Sequence, residues 1–336
     1  MMRLTGLATG IGSLPHKDAD KAVDLIFRSC PQIPFWPQLP KRDMREGMVA
    51  QFAEGLPVPQ PPGIQPISLE GFYEKIISED IDYFKITPDY AAGLYAFKDR
   101  LKKDPGLLKN IEFIKCHITG PFTCAAGIKD EEGKAYLHDP VFMQAIIKGL
   151  AMKALWQMKF FKEFDKKMIV FIDEPYLGCF GSAYTPVNRE DVVAGLSELT
   201  QGIKSRDVLT GVHCCGNTDW SIFTDIKTLD IINFDAFGFL DKFVLYADNL
   251  KGFLKRDGII CWGVVPTSEF SDSQTPLLLI DKIKEGINIL IKKGVDRNLI
   301  EENLILSPSC GMGSLEPEKS EKILKLLSET SQIAQK

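Results

Sequence analysis

Histidine is scarce in this chain: four residues, His16, His117, His138 and His213, among 336. Chemistry that needs an imidazole therefore has few places to reside. No apolar run reaches the ~20 residues that a membrane-spanning helix requires. The opening segment, Met-Met-Arg-Leu-Thr-Gly-Leu-Ala-Thr-Gly, has no signal-peptide core and reads as the approach to a first strand. There is no block of Lys or Arg, and the net charge is −5, so nothing points to nucleic acid. A glycine-rich phosphate loop is also missing. Gly10-Ile-Gly12-Ser13 is too short and lacks the third glycine, which argues against an open dinucleotide-binding sheet. Cysteine is not scarce, but eight in a chain of this length do not make a disulfide scaffold. The expectation is reduced thiols in a cytoplasmic protein. Cys30, Cys116, Cys124, Cys179 and Cys261 lie in or beside apolar runs and read as small hydrophobes.

What is present is a rhythm. With 45% hydrophobic and 25% charged residues the chain is of ordinary globular composition. Short β-rich runs alternate with stretches whose apolar residues recur every three or four positions. Strands are expected at 8–12, 33–36, 111–118, 168–172, 208–214, 231–235, 259–264 and 304–306. Helices are expected at 18–29, 139–164, 189–204, 242–256, 276–293 and 316–330. Eight such units predict a single (β/α)₈ barrel over residues 1–336. Residues 55–86, with Pro57, Pro59, Pro61, Pro62 and Pro66, are too long for a barrel loop. They predict an excursion over the active rim after the second βα unit. A polar insertion at 127–138 loops out.

Barrel chemistry sits at the C-terminal strand ends. Those ends read Ile11-Gly12-Ser13, Trp36-Pro-Gln38, Thr119-Gly-Pro121, Asp173-Glu-Pro175, His213 to Asn217, Asp235, Val265-Pro-Thr267 and Ser309-Cys310-Gly311. On an extended strand His213 and Cys215 share a side, and Cys214 faces the other way. With Cys310 ending the last strand and Asp235 the sixth, these residues make a candidate zinc site, since mixed nitrogen and sulfur ligands suit that ion. The plainer alternative is a core histidine beside packed cysteines. Cys214 is the alternative to Asp235 as the remaining ligand. Asp173 either binds an amine or hydroxyl or caps the following turn. Ile11, Gly12 and Ser13 either present N–H groups to a carboxylate or form a tight turn.

Five segments, Thr9-Gly-Ile-Gly-Ser-Leu-Pro15, Ile118-Thr-Gly-Pro121, Ile172-Asp-Glu-Pro175, His213-Cys-Cys215 and Ser307-Pro-Ser-Cys-Gly311, occur in one order. In that order they resemble the C-terminal catalytic barrel of the cobalamin-independent methionine synthase family, in the uroporphyrinogen decarboxylase-like superfamily. The resemblance covers nearly the whole chain. It implies zinc on His213, Cys215, Asp235 and Cys310, with Asp235 standing where the family has glutamate. It also implies homocysteine on Ile11, Gly12, Ser13 and Asp173. The family's glutamate after the second strand has no clear match.

Two departures bear on the methyl donor. The family's additional N-terminal barrel, which helps bind polyglutamylated folate, is absent from this sequence. The histidine that protonates the leaving folate nitrogen has no counterpart in Gly263-Val-Val-Pro-Thr267. A corrinoid leaves without a proton, so the chain resembles the short single-barrel "core" methionine synthases, which implies a methylated corrinoid or corrinoid protein as donor. His213-Cys-Cys-Gly-Asn-Thr218 also resembles a segment of the corrinoid:coenzyme M methyltransferases. The expectation is a zinc-dependent homocysteine S-methyltransferase. The alternatives are a coenzyme M-type or other thiol methyltransferase, a uroporphyrinogen decarboxylase-like protein, and a non-enzymatic zinc scaffold.

Overall fold

In the computed structural model, which describes residues 4–61, 63–183 and 186–336, seven strands form one parallel sheet. They are β1 (Leu7–Ala8), β2 (Phe113–Thr119), β3 (Lys167–Asp173), β4 (Val208–Cys214), β5 (Ile231–Phe234), β6 (Ile259–Val265) and β7 (Leu304–Pro308). Their spatial order is β1-β7-β6-β5-β4-β3-β2. The sheet curls into a half-barrel with helices packed on its convex side.

The strand expected at 33–36 does not form. Pro31, Pro34, Pro37 and Pro40 recur every third residue there, and each removes a donor that a ladder needs. Only isolated bridges survive, Phe35 to Lys115 and Ser13 to Gln38. They are carried by Lys115 N–H to Pro34 O at 2.9 Å and Gln38 N–H to Gly12 O at 3.1 Å. The irregular segment thus touches both edges of the sheet without completing an eight-stranded ladder. The first strand is likewise shorter than its apolar run suggested.

Side chains alternate across the strands. Ile114, Cys116, Ile118, Val170, Ile172, Val212, Phe234 and Trp262 belong to the large core shared with the helices. Phe113, Ile169, Phe171, Ile231, Ile259 and Ile305 fill a smaller core on the concave side. Toward the C-terminal strand ends that concave face turns polar: His117, Asp173, His213, Asn233 and Ser307 are all buried there. Burial on both faces explains why the strands read as continuous apolar runs.

The helices start where their caps stand. Asp18 accepts from Asp20 N–H and Lys21 N–H ahead of Ala19–Ser29, and Asp139 caps Pro140–Phe161, where Pro140 sits at the first position. The helix expected at 242–256 begins earlier, as Ala236–Phe243, and resumes as Ala247–Lys255 after a 3₁₀ turn. The excursion at 55–86 packs its helix Leu69–Ile77 against Pro140–Phe161 rather than over the strand ends; Pro62 lies outside the described residues. The rim is reached instead by the stretch just before it, where Met48 O accepts the Thr119 hydroxyl. No helix among the described residues is long and apolar enough to cross a membrane.

Gly211, in mid-strand, gives a sharp test of this packing. A Cβ there would lie 2.5 Å from the Phe171 ring and 3.3 Å from Ile231 Cβ. Gly211→Ala is expected to cost roughly 1–3 kcal/mol through overpacking. Urea denaturation should show a lower midpoint with an unchanged slope; an unchanged midpoint would mean the concave core is looser than described.

Candidate metal centre

β4 delivers His213 on the concave face, and Cys215 follows just past the strand end. Cys214 points the other way, fully buried, its thiol directed to Gly216 O at 3.8 Å. The loop after β7 brings Cys310 across. The ligand atoms of His213, Cys215 and Cys310 all lie within 4.8 Å of one another. Zinc bonds of about 2.1 Å to nitrogen and 2.3 Å to sulfur require ligand separations of roughly 3.5–3.8 Å, so little movement separates this arrangement from a tetrahedral site. One imidazole and two thiols are a donor set suited to zinc.

The electrostatics favour a thiolate. The Cys310 thiol donates to Cys215, and the His213 ring, when it carries a second proton, adds another hydrogen bond. Together they outweigh burial and hold Cys215 well below the ordinary thiol range, while Cys310 is driven upward. Burial pulls the His213 imidazole down, but Cys215, Asp173 and Asn233 together raise it.

Asp173 ends β3 beside His213 in the strand register. It is 6% exposed, and its Oδ1 has no hydrogen-bond partner. Burial pushes its carboxyl up to about 6, against the opposing pull of His213 and Lys115. The neighbouring Glu174 is the structural member of Asp-Glu-Pro. It accepts from Phe122 N–H and Thr123 N–H at the start of Pro121–Gly127.

The Ile11–Ser13 turn faces the same space. Its three carbonyls are occupied: Ile11 O accepts Lys115 Nζ at 2.6 Å, Gly12 O accepts Gln38 N–H, and Ser13 O accepts Met312 N–H. None of its three N–H groups donates to a protein acceptor among the described residues. The Ser13 hydroxyl accepts Gly313 N–H, and Gly311 has no Cβ because one would meet that hydroxyl at 2.4 Å.

These groups line one cavity of about 260 Å³, formed by Ile11, Ser13, Gln38, Met48, Asp173, His213, Cys215 and Cys310 among others. Gly12 is not among the lining residues; a Cβ there would meet the His117 ring at 2.9 Å. Asp235 stands apart. It belongs neither to the three-residue group nor to the cavity lining; its Oδ1 accepts Gly238 N–H at 2.8 Å as the N-cap of Ala236–Phe243. A larger groove of about 430 Å³ lies outside the sheet between Pro140–Phe161 and the helix Arg189–Ile203. It holds no comparable cluster among the described residues.

Two contributors escaped the sequence reading, and a third was named there by position alone. Lys115 and Asn233 interrupt apolar strands on the concave parity, which was the available signal. Gln38 was on the rim, but its role depends on contacts: its amide donates to Gln51 Oε1, leaving the carbonyl as acceptor. No cysteine is in a disulfide; Cys30, Cys116, Cys124 and Cys261 are buried as expected, whereas Cys179 is exposed.

No family model matches the chain, and no curated protein does. Among solved structures, endoglucanase CEL6B from Humicola insolens is similar over 76% of this chain and 93% of its own, at 10% identity and a TM-score of 0.37. A likeness that slight carries no argument.

Asp173 supplies a pH test. Its folded value lies above that of an unfolded aspartate, so the folded state holds the extra proton and stability falls as pH rises from about 4 to about 6. In metal-free protein, Asp173→Asn should be more stable than the parent at pH 8, by on the order of 2–3 kcal/mol. The gap should shrink as pH falls toward 4. Thermal melts across that range check it; a pH-independent gap would refute the buried, unpaired carboxylate.

Proposed function

We propose that this chain is a zinc-dependent thiol S-methyltransferase that converts homocysteine to methionine. On this reading the half-barrel is the working form of a TIM-type barrel whose second strand is replaced by the proline-spaced segment. The observation that carries the reading is one small cavity holding three kinds of group. It has a His/Cys/Cys ligand set, an unpartnered buried carboxylate at Asp173, and a turn with uncommitted N–H groups at Ile11–Ser13. A short α-amino acid bearing a thiol matches all three.

His213, Cys215 and Cys310 would hold the metal, and Asp235, whose Oδ1 accepts Gly238 N–H, lies outside that set. When bound, zinc supplies the Lewis acidity that keeps a substrate thiol ionised near neutral pH. The Asp173 carboxylate and the Gln38 carbonyl accept from the substrate ammonium, and the turn N–H groups donate to its carboxylate. Fixed at both ends, the sulfur attacks the methyl carbon in line. A sulfur–carbon bond forms, the donor bond breaks with its electron pair leaving on the donor, and the thiol proton has already passed to solvent. The protein's share is positioning and exclusion of water.

Two observations favour homocysteine and a corrinoid donor. A sulfonate thiol such as coenzyme M has no amine for Asp173. A folate nitrogen must be protonated as it leaves, and general-acid help is typically worth ~10²–10⁴-fold. The segment 263–267 has no histidine, Thr267 is buried against Ser309, and Glu269 is solvent-exposed.

Three measurements test the proposal. About one zinc per chain is expected in purified protein, and it should be lost or sharply reduced in Cys215→Ser and in Cys310→Ser. Full retention in both sinks the site. With zinc and homocysteine, methylcobalamin or a methylated corrinoid protein should yield methionine, whereas methyltetrahydrofolate should not. Asp173→Asn should raise the KM for homocysteine by at least about tenfold, the worth of one charge-assisted hydrogen bond. Robust turnover with folate, or preference for coenzyme M, overturns the substrate assignment.

A further inference from the structure

His213 carries a second contact, on the ring nitrogen turned away from the cysteines. Its Nδ1 lies 2.5 Å from Asn233 Oδ1, and both groups are buried. The proton on that contact can be located from the contacts around it. Asn233 Nδ2 sits 2.8 Å from Cys261 O, and a backbone carbonyl only accepts, so the atom facing it is the amide nitrogen. The same nitrogen lies 2.8 Å from Ser307 Oγ, whose own proton goes to Pro308 O at 2.9 Å. Both amide hydrogens are thus spoken for, and the flipped amide would set an oxygen against Cys261 O. Oδ1 is left facing His213 and can only accept. Nδ1 therefore carries a proton, and in the neutral ring it is the nitrogen that does.

We infer that Asn233 is the positioning residue that locks His213 in the Nδ1–H tautomer, so that Nε2 presents its lone pair toward Cys215 and Cys310. An unconstrained neutral imidazole favours the opposite tautomer, in which the nitrogen facing the cysteines carries a proton and cannot ligate. Outer partners of this kind fix ligand orientation and basicity in metal sites generally. The lock is a property of the metal-free protein; its use as a ligand-presenting device rests on the metal reading above.

The test starts without metal. In ¹⁵N-histidine-labelled, metal-free protein at alkaline pH, long-range ¹H–¹⁵N correlation should show one ring, absent from a His213→Gln sample, predominantly protonated at Nδ1. If that variant does not fold, His16, His117 and His138 variants assign the signal by elimination. Asn233→Leu should return the ring toward Nε2–H and weaken zinc in chelator competition about 10- to 100-fold. Asn233→Asp keeps an acceptor at the same point and should retain Nδ1–H, a difference that mere packing damage would not produce. An Nε2–H ring in the parent protein, or an Nδ1–H ring surviving in Asn233→Leu, overturns the inference. The two readings fail separately. Zinc bound with an Nε2–H ring in the metal-free state refutes the Asn233 lock alone, and an Nδ1–H ring in a protein that takes no zinc refutes the metal site alone.

Discussion

The period of two in a parallel strand is the constraint on which everything else here rests. Each strand sends alternate residues to the helices and to the concave face, with no freedom to do otherwise. Because β2 to β7 pair in register, Asp173, His213, Asn233 and Cys261 form one inward row. A slip of one residue in β4 would swap His213 for Cys214 and dismantle the centre. The large apolar core behind the sheet holds that register, so the chemistry at the rim depends on hydrophobic packing several ångströms away.

Buried charge is the cost of the arrangement. Lys115, fully buried and pulled down to about 8 by desolvation, spends its hydrogen bond on Ile11 O and lies over the Phe171 ring. It ties the Ile11–Ser13 turn to the sheet and places a cation beneath Asp173. The carboxylate is thereby tolerated without a direct partner, and its Oδ1 stays available. A cavity lined by groups whose polarity is unmet is the physical signature of a site that expects a ligand.

Much of this was legible in the sequence. Six of the expected strands occupy their expected places, because both of their faces are buried and their runs are largely apolar; the first forms only at Leu7–Ala8. His213 and Cys215 on one side with Cys214 on the other followed from alternation alone. The failures have equally specific causes. The apolar run at 33–36 looked like a strand because its hydrophobicity was weighed and its proline spacing was not. Asp235 was expected as a ligand because it ends its strand at the rim and matches the family's glutamate; its Oδ1 caps Ala236–Phe243 through Gly238 N–H, and it lies outside the His213, Cys215 and Cys310 group. Lys115, Asn233 and Gln38 act through partners distant in sequence, such as Ile11, Ser307 and Gln51. Local patterns do not encode such pairings.

The clasp between the Ser13 hydroxyl and Gly313 N–H joins residues 300 apart in the chain. Cys310 lies between Ser309, tied to β6 through Val265 O, and Gly313, tied to the Ser13 turn, so its loop is fixed on both sides only when β1 and β7 have met. Closing so long a loop comes late in folding, after the nearer strand pairs have formed. A chain in which β1 and β7 have not yet met therefore carries His213 and Cys215 at the end of β4 without a fully fixed Cys310 beside them. On the proposed zinc reading, loading would then mark completed folding, because the finished molecule is what brings His213, Cys215 and Cys310 together.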